Sequence, residues 1–336
     1  MVSSQVEVPS APDHDAASGP LQPGHLISAY RIERLVGVGG MGWVYRARHE
    51  LNGRCVALKL LREDQLACDR AIDRVMREAT ILASVPHPGL PEFYECGKLD
   101  DGRAWIAMEL IEGVALTDRM QDGPLDADAV IDFVLLVADV LAAVHAREFT
   151  HRDLKPDNII LSPGDARFPI RVIDWGIALA GAGARLTAMN EAMGTPTYMA
   201  PEQARGNKTE ERSDVYGLGV VAYQALTGRA PFVGASAVEI LVQHLNRPPP
   251  ALAPRCPDAP YGLVELVERM IAKDPEERPK AAEITASLGP LRAARQQPPY
   301  LRVAAEVGSG APLPVLKQTP IAPSTHMVPA WPDPED

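Results

Sequence analysis

The chain has 336 residues, enough for one large domain or two ordinary ones, and with 46% hydrophobic residues it can bury a substantial core. Its 33 basic and 44 acidic residues leave a net charge of -11, which argues against a general binder of nucleic acid or anionic membrane, since such proteins neutralise phosphates with clustered Lys and Arg. The four cysteines, Cys55, Cys68, Cys96 and Cys256, show no metal-ligand spacing, so reduced thiols in a cytoplasmic protein are expected and no disulfide framework is implied.

Residues 1–28 are rich in Pro, Ser, Ala and Asp without periodicity, which predicts a disordered arm unable to bury enough apolar area to offset its ordering entropy. The arm has neither the basic nor the apolar region of a signal peptide, and none is expected. From Tyr30 the texture changes. Residues 30–36 and 43–48 alternate apolar with polar, and 55–60 is a β-rich run, which predicts antiparallel strands around a glycine-rich turn. Ile72, Val75, Met76 and Ala79 recur at helical spacing, so one helix over 70–83 should pack on that sheet. Strands return near 92–94 and 104–110, separated by the turn signal Asp100-Asp101-Gly102.

After Gly113 the pattern is mainly helical: 128–146 has a wide apolar face, 213–226 is mostly apolar, and 262–272 and 281–288 add shorter helices. No apolar stretch approaches the ~20 residues that a membrane helix requires. The most apolar candidate, 130–144, is broken by Asp132 and Asp139, so no membrane helix is expected. Gly289 marks a stop for the last helix, and the prolines that crowd 290–336 predict an extended, disordered tail. A strand-rich part followed by a helix-rich part is the α+β order, and no internal repeat interrupts it.

Several motifs carry chemistry. Gly37-Val38-Gly39-Gly40-Met41-Gly42 fits G-x-G-x-x-G, a pattern shared with dinucleotide-binding folds, where the glycines follow a strand and open a helix. Here a strand follows, so the loop bridges two strands, and glycines let its backbone approach phosphates without Cβ obstruction. Lys59 stands in a buried-looking strand, Val56-Ala57-Leu58-Lys59, where an unpaired ammonium is costly; Glu78 on the following helix is its natural partner. His151-Arg152-Asp153-Leu154-Lys155-Pro156-Asp157-Asn158 packs a base, cations and a metal ligand into one loop. Asp174-Trp175-Gly176 follows beyond a hairpin turn at Pro163-Gly164-Asp165, and Gly194-Thr195-Pro196-Thr197-Tyr198-Met199-Ala200-Pro201-Glu202 comes after it.

In this order and spacing the motifs resemble those of bacterial (Hanks-type) serine/threonine protein kinases, over about Tyr30 to Leu288. The resemblance implies a two-lobed protein kinase fold over 29–289. A small antiparallel-sheet lobe with one main helix (29–108) is joined by a hinge (109–113) to a larger, mainly helical lobe (114–289). It implies ATP and Mg2+ as cofactors and Ser/Thr hydroxyls of proteins as substrates. Asp153 would accept the proton of the substrate hydroxyl, Lys155 would face the transferring phosphoryl group, and Asn158 and Asp174 would hold magnesium. Lys59 would bind the α- and β-phosphates with Glu78 holding it in place. The nucleotide would lie among Gly37, Val38, Gly39, Gly40, Met41, Gly42, Val44, Ala57 and Ile160. Met108 would be the gatekeeper, Glu109 and Ile111 would offer hinge backbone groups to adenine, and Asp118 would reach the ribose. Leu82, Phe93, His151 and Trp175 would form the spine that couples the lobes. Glu202 should pair with Arg278 in a structural ion pair. The pattern departs from the family at Trp175, where phenylalanine is usual.

Arg152 precedes Asp153 and calls for an anion, which in such kinases is a phosphorylated activation-segment residue. Thr187 best matches that phosphosite, with Arg74 standing in for the second basic residue that Leu179 replaces, and Thr195 is expected to bond Asp153 and Lys155. Autophosphorylation in trans would make a homodimer one partner. The reading from another class is a nucleotide-binding pseudokinase or scaffold; intact Lys59, Glu78, Asp153, Asn158 and Asp174 favour the enzyme. The absence of clustered basic residues predicts no nucleic-acid partner.

Overall fold

A computed structural model describes residues 19–39, 42–65, 69–162, 164–165, 168–175, 196–207 and 210–295. Strands β1 (Leu26–Ile27), β2 (Tyr30–Val38), β3 (Gly42–His49), β4 (Cys55–Leu61), β5 (Phe93–Lys98) and β6 (Ala104–Glu109) form an antiparallel sheet in the order β1-β2-β3-β4-β6-β5. The period of two along β4 and β6 explains its two faces. Val56, Leu58, Leu60, Trp105 and Ala107 pack with Tyr30, Ile32, Trp43 and Tyr45 on one side. Ala57, Leu61, Ala104, Ile106 and Met108 fall on the other, in the main core. Lys59 shares this second face by alternation, next to Ile106 in the ladder.

Helix α1 (Asp69–Ser84) covers that second face. Its inward stripe is Ile72, Val75, Ala79 and Leu82, and Glu78 lies on the same stripe at 1% exposure. Met76, expected on the apolar face, is instead 36% exposed, because the stripe passes through 75 and 79 and turns 76 outward.

Beyond the hinge come β7 (Val114–Ala115) and helices α2 (Leu116–Gln121) and α3 (Ala127–His145), the last capped by Asp126, whose carboxylate accepts from the Ala129 N–H at 2.8 Å. Strands β8 (Ile159–Leu161) and β9 (Ile170–Val172) complete a second sheet, β7-β8-β9. Helices α4 (Pro201–Ala204), α5 (Glu211–Thr227), α6 (Ala237–Asn246), α7 (Tyr261–Met270) and α8 (Ala281–Ala294) follow. Helix α5 is buried along nearly its whole length and is closed by Gly228 in the left-handed conformation, φ 73°. A Cβ at its Gly219 would stand 2.7 Å from the Met270 Cβ, so glycine there permits the close approach of the segment after α7.

Two expected boundaries move. The arm assigned to 1–28 ends earlier, because β1 pairs with β2 and Ile27 is 2% exposed in the core under the sheet; the Leu21 N–H also donates to the Tyr45 hydroxyl at 2.8 Å. Residues 290–294, assigned to the tail, belong to helix α8. Helix α8 passes through Gly289 and Pro290 even though Pro290 cannot donate to the ladder. Leu291 packs on the core, Arg292 pairs with Asp132 at 2.9 Å and Arg295 with Asp128, and these contacts to α3 offset the missing bond. Residues 1–18 and 296–336 lie outside the described residues. Among the described residues, no helix is long and apolar enough to cross a membrane.

Candidate active site

The sheet delivers the first group. Lys59 projects from β4 at 8% exposure, and its Nζ lies 2.7 Å from Glu78 Oε2 on α1 and 2.8 Å from Asp174 Oδ1 after β9. One ammonium thus joins two carboxylates from three separate elements. Burial disfavours its charge, but Asp174 and Glu78 outweigh burial and raise the Lys59 pKa. Burial likewise works to raise Asp174, yet Lys59 holds it below the usual carboxylate range. Glu78, deeper and sharing the same cation, is pushed up by burial against the pull of Lys59.

The second group is the loop after α3. Arg152 and Asp174 both adopt left-handed backbone, at φ 68° and 63°, which is costly for residues with a Cβ. Asp214 of α5 holds the first of them. It is 2% exposed, and its carboxylate accepts from the His151 N–H at 2.8 Å and the Arg152 N–H at 2.7 Å, with His145 Nε2 also at 2.8 Å. Burial opposes the Asp214 charge, but His145 and the backbone donors overcome it and keep the carboxyl below its ordinary range. The Asp153 N–H donates to His151 Nδ1 at 3.3 Å, so the His151 ring proton sits on Nε2 and is given to the Ile173 carbonyl at 3.0 Å. That bond ties the loop to the segment carrying Asp174.

Within the loop Lys155 Nζ lies 3.0 Å from Asp153 Oδ2, and Asp153 raises the Lys155 pKa against the effect of burial. Asn158 is 2% exposed and donates its amide Nδ2 to the Asp153 carbonyl at 2.8 Å, while its backbone carbonyl accepts from Ile173 at 2.9 Å. Its amide oxygen is therefore the end suited to a metal. Asn158 and Asp174 supply hard oxygen donors, which suits a divalent ion that takes its other ligands from phosphate and water. Among the described residues no group of three or more His, Cys, Asp or Glu could hold a metal without such help.

Several residues expected to line a nucleotide are neighbours in the sheet. Val44 pairs with Lys59 across the ladder and Ala57 pairs with Met108, which places all four on neighbouring positions of the cleft face. Met108, Ala57 and Ile160 are buried at 7%, 8% and 8%. The Gly39 N–H donates to the Gly42 carbonyl at 2.8 Å, closing the glycine-rich turn, and a Cβ at Gly42 would lie 2.5 Å from the Leu60 carbonyl. Val38 is half-exposed at the end of β2. Gly40 and Met41 lie outside the described residues. At the hinge the Glu109 N–H already donates to the Glu92 carbonyl at 2.8 Å, so any adenine contact there must use the Glu109 carbonyl. Ile111 lies two residues on, and Gly113 closes the hinge where a Cβ would meet the Leu161 carbonyl at 2.3 Å. Asp118 is exposed on α2, within 3.4 Å of Gln121.

Of the four residues expected to form a spine, two are seen in contact and the others lie in the same core as Trp175. Trp175 is fully buried with its ring centroid 4.6 Å from His151, and Leu82 and Phe93 join the same cluster. The expected ion pair forms: Arg278 meets Glu202 through two bonds of 2.7 and 2.9 Å, and Ser213 adds a hydroxyl to Glu202 at 2.6 Å.

Thr187, Thr195 and Leu179 lie outside the described residues, as does the Arg74 side chain. Sequence reasoning passed over Arg77 of α1. Its charge acts on Arg152, whose pKa is lowered first by burial and then by Arg77. Among the described residues, Arg77 Nε is buried without a hydrogen-bond partner. His145 was also missed as a support of the loop, and Asp214, the one aspartate inside the apolar run of α5, was read only as part of the Ser213-Asp214-Val215-Tyr216-Gly217 signature.

Comparison with known proteins agrees with this geometry. A family model described as protein kinase domain matches residues 30–288. The chain is 39% identical to serine/threonine-protein kinase pkn3 of Myxococcus xanthus over 76% of this chain and 48% of that protein. It is 35% identical to serine/threonine-protein kinase PknA of Mycobacterium tuberculosis over 85% of this chain and 68% of that one. The solved kinase domain of PknI from Mycobacterium tuberculosis superposes with a TM-score of 0.65 at 29% identity, covering 81% of this chain and 99% of that one. The chain spans about half or less of the length of some of these curated relatives, 48% for pkn3 and 39% for PrkC of Bacillus subtilis. With its family match, its two-lobed architecture and its joined Lys59, Glu78 and Asp174, the chain belongs to the protein kinase domain family, in the bacterial serine/threonine group.

Proposed function

We propose that this domain is an active, ATP- and Mg2+-dependent kinase that phosphorylates Ser and Thr hydroxyls of proteins. The observation that carries the reading is Lys59 held at once by Glu78 and Asp174, which joins sheet, helix and metal-binding segment in a single arrangement. Lys59 would turn its charge to the α- and β-phosphates while Glu78 keeps it from leaving. Asn158 and Asp174 would hold the metal, which when bound would neutralise phosphate charge. Asp153 orients the substrate hydroxyl and takes its proton as that oxygen bonds to the γ-phosphorus; the bond from phosphorus to the ADP oxygen breaks, and ADP departs. Lys155, 3.0 Å from Asp153, steadies the negative charge of the phosphoryl group in transit. Catalysis is positioning plus charge neutralisation.

Asp153→Asn is expected to abolish transfer of labelled γ-phosphate to a Ser/Thr protein while leaving ATP affinity nearly unchanged. Transfer at close to the wild-type rate would overturn the assignment of the base, and a wild type that binds ATP without turnover would favour the scaffold reading. For regulation, the like charges of Arg152 and Arg77 support a phosphothreonine-binding corner, with Thr187 phosphorylated in trans within a homodimer. Mass spectrometry after incubation with ATP should find phosphate on Thr187 in wild type and none in Asp153→Asn. Phosphate absent from Thr187 in both would sink this part of the reading. Cytoplasmic location fits the free thiols among the described cysteines.

A further inference from the structure

The residue after Asp174 is where this chain leaves its family, and the substituted ring does something phenylalanine cannot. Trp175 is fully buried, and its indole Nε1 donates to the Val172 carbonyl at 2.8 Å. A buried indole N–H without an acceptor is costly, so the ring can leave this place only by breaking that bond. The bond spans Ile173 and Asp174, the residue at φ 63°. The same stretch is fixed at every step: the Val172 N–H donates to the Gly89 carbonyl at 2.9 Å, the Ile173 N–H to the Asn158 carbonyl at 2.9 Å, and the Ile173 carbonyl accepts from His151 at 3.0 Å. Trp175 thus closes a short ring of covalent and hydrogen bonds around the strained aspartate, with its indole against His151 at 4.6 Å.

We propose that Trp175 is a positioning residue that latches Asp174 toward Lys59 through the indole N–H, so that Asp174 leaves Lys59 less often than it would with phenylalanine at 175. The latch acts on the free protein, before nucleotide binds. Its bearing on turnover rests on the kinase reading above, but the latch itself does not.

The test is amide hydrogen exchange on the nucleotide-free full chain, comparing wild type with Trp175→Phe. Phenylalanine keeps a ring in the core and removes only the N–H and part of the bulk. The Ile173 amide reports local opening, and the Val220 amide in the middle of α5 reports global unfolding. If the latch exists, Ile173 exchange rises about five- to tenfold in Trp175→Phe, the weight of one buried hydrogen bond, while Val220 exchange stays as it was. Equal rates at Ile173, or a rise matched at Val220, would overturn it, since the second result is what lost packing alone produces. A kinetic companion separates the two readings. In an active enzyme the KM for MgATP rises in Trp175→Phe while the KM for the protein substrate holds. A changed exchange rate in a protein without turnover would keep the latch and discard the kinase reading.

Discussion

Removing Arg278 tests how the large lobe is held together. The guanidinium is buried, with 0% of its side chain exposed, and it makes two bonds to Glu202 of 2.7 and 2.9 Å. It also donates to the carbonyls of Ala272, Arg212 and Lys273 at 2.8, 3.0 and 3.1 Å, and it lies 4.7 Å over the Tyr216 ring. Arg278→Met keeps much of the volume but leaves a buried carboxylate whose remaining side-chain partner is Ser213. Breaking one side of such a pair costs ~3–5 kcal/mol, a large part of the ~5–15 kcal/mol that holds a domain folded. The acid dependence follows from Glu202. Burial works to raise its pKa, but Arg278 and Ser213 bring it below the ordinary 4.5. A carboxyl lowered on folding adds stability above its unfolded value, and that contribution is lost as pH falls through the folded value. In Arg278→Met the same carboxyl loses its cation and is driven upward, so the penalty should be largest near neutral pH and shrink on acidification. Urea unfolding at several pH values would measure it. Glu202→Met with Arg278→Met should recover at least half of the loss, because an apolar pair replaces an orphaned charge. A single variant within ~1 kcal/mol of wild type at neutral pH, or a penalty that ignores pH, would refute the reasoning.

Two further outcomes are expected. Asp214→Asn keeps one acceptor oxygen but turns an amide donor against one of the two loop N–H groups, which bond to different carboxylate oxygens, so stability should fall by ~2–3 kcal/mol and kcat on the order of a hundredfold. Calorimetry beside steady-state kinetics checks both, and unchanged kcat would show that the left-handed Arg152 needs no such grip. Asp132 is raised from 3.8 to about 6, chiefly by burial and against the pull of Arg292. A group raised on folding contributes stability below its unfolded value and loses it as pH rises through the folded value, so wild type should lose stability between about pH 4 and 6. Asp132→Asn should flatten that slope, and an unaltered slope would count against it.

What the sequence made legible were residues whose chemistry is packed into short runs. Lys59 reads as functional because an ammonium in an apolar strand demands a partner, and alternation along β4 then fixes the face it occupies. The loop from His151 to Asn158 reads the same way, through residue types that have no reason to be crowded together in a merely structural turn. Helix α6 carried a readable signal that went unused, Ser236 three residues before Glu239: the Glu239 N–H donates to the Ser236 hydroxyl at 3.2 Å, while the Glu239 carboxylate accepts from the Ala235 N–H at 2.8 Å. The extension of α8 was not readable, since Gly289-Pro290 argues locally for a stop and only Asp128 and Asp132, more than a hundred residues away, argue against it.

The strain at the site belongs to this second kind. Nothing in the local sequence shows that Arg152 and Asp174 stand at φ 68° and 63°; each is held there by partners from elsewhere in the chain, Asp214 for the one and Lys59 for the other. An ordinary loop would relax such residues into the right-handed region. Their persistence requires the surrounding structure to over-determine them, which is what Asp214, His145, His151 and Trp175 do together. The residues that act and the residues that hold them are therefore different sets. A motif displays the first, while the second emerges only from the packing of α5, β9 and the loop from His151 to Asn158 against one another.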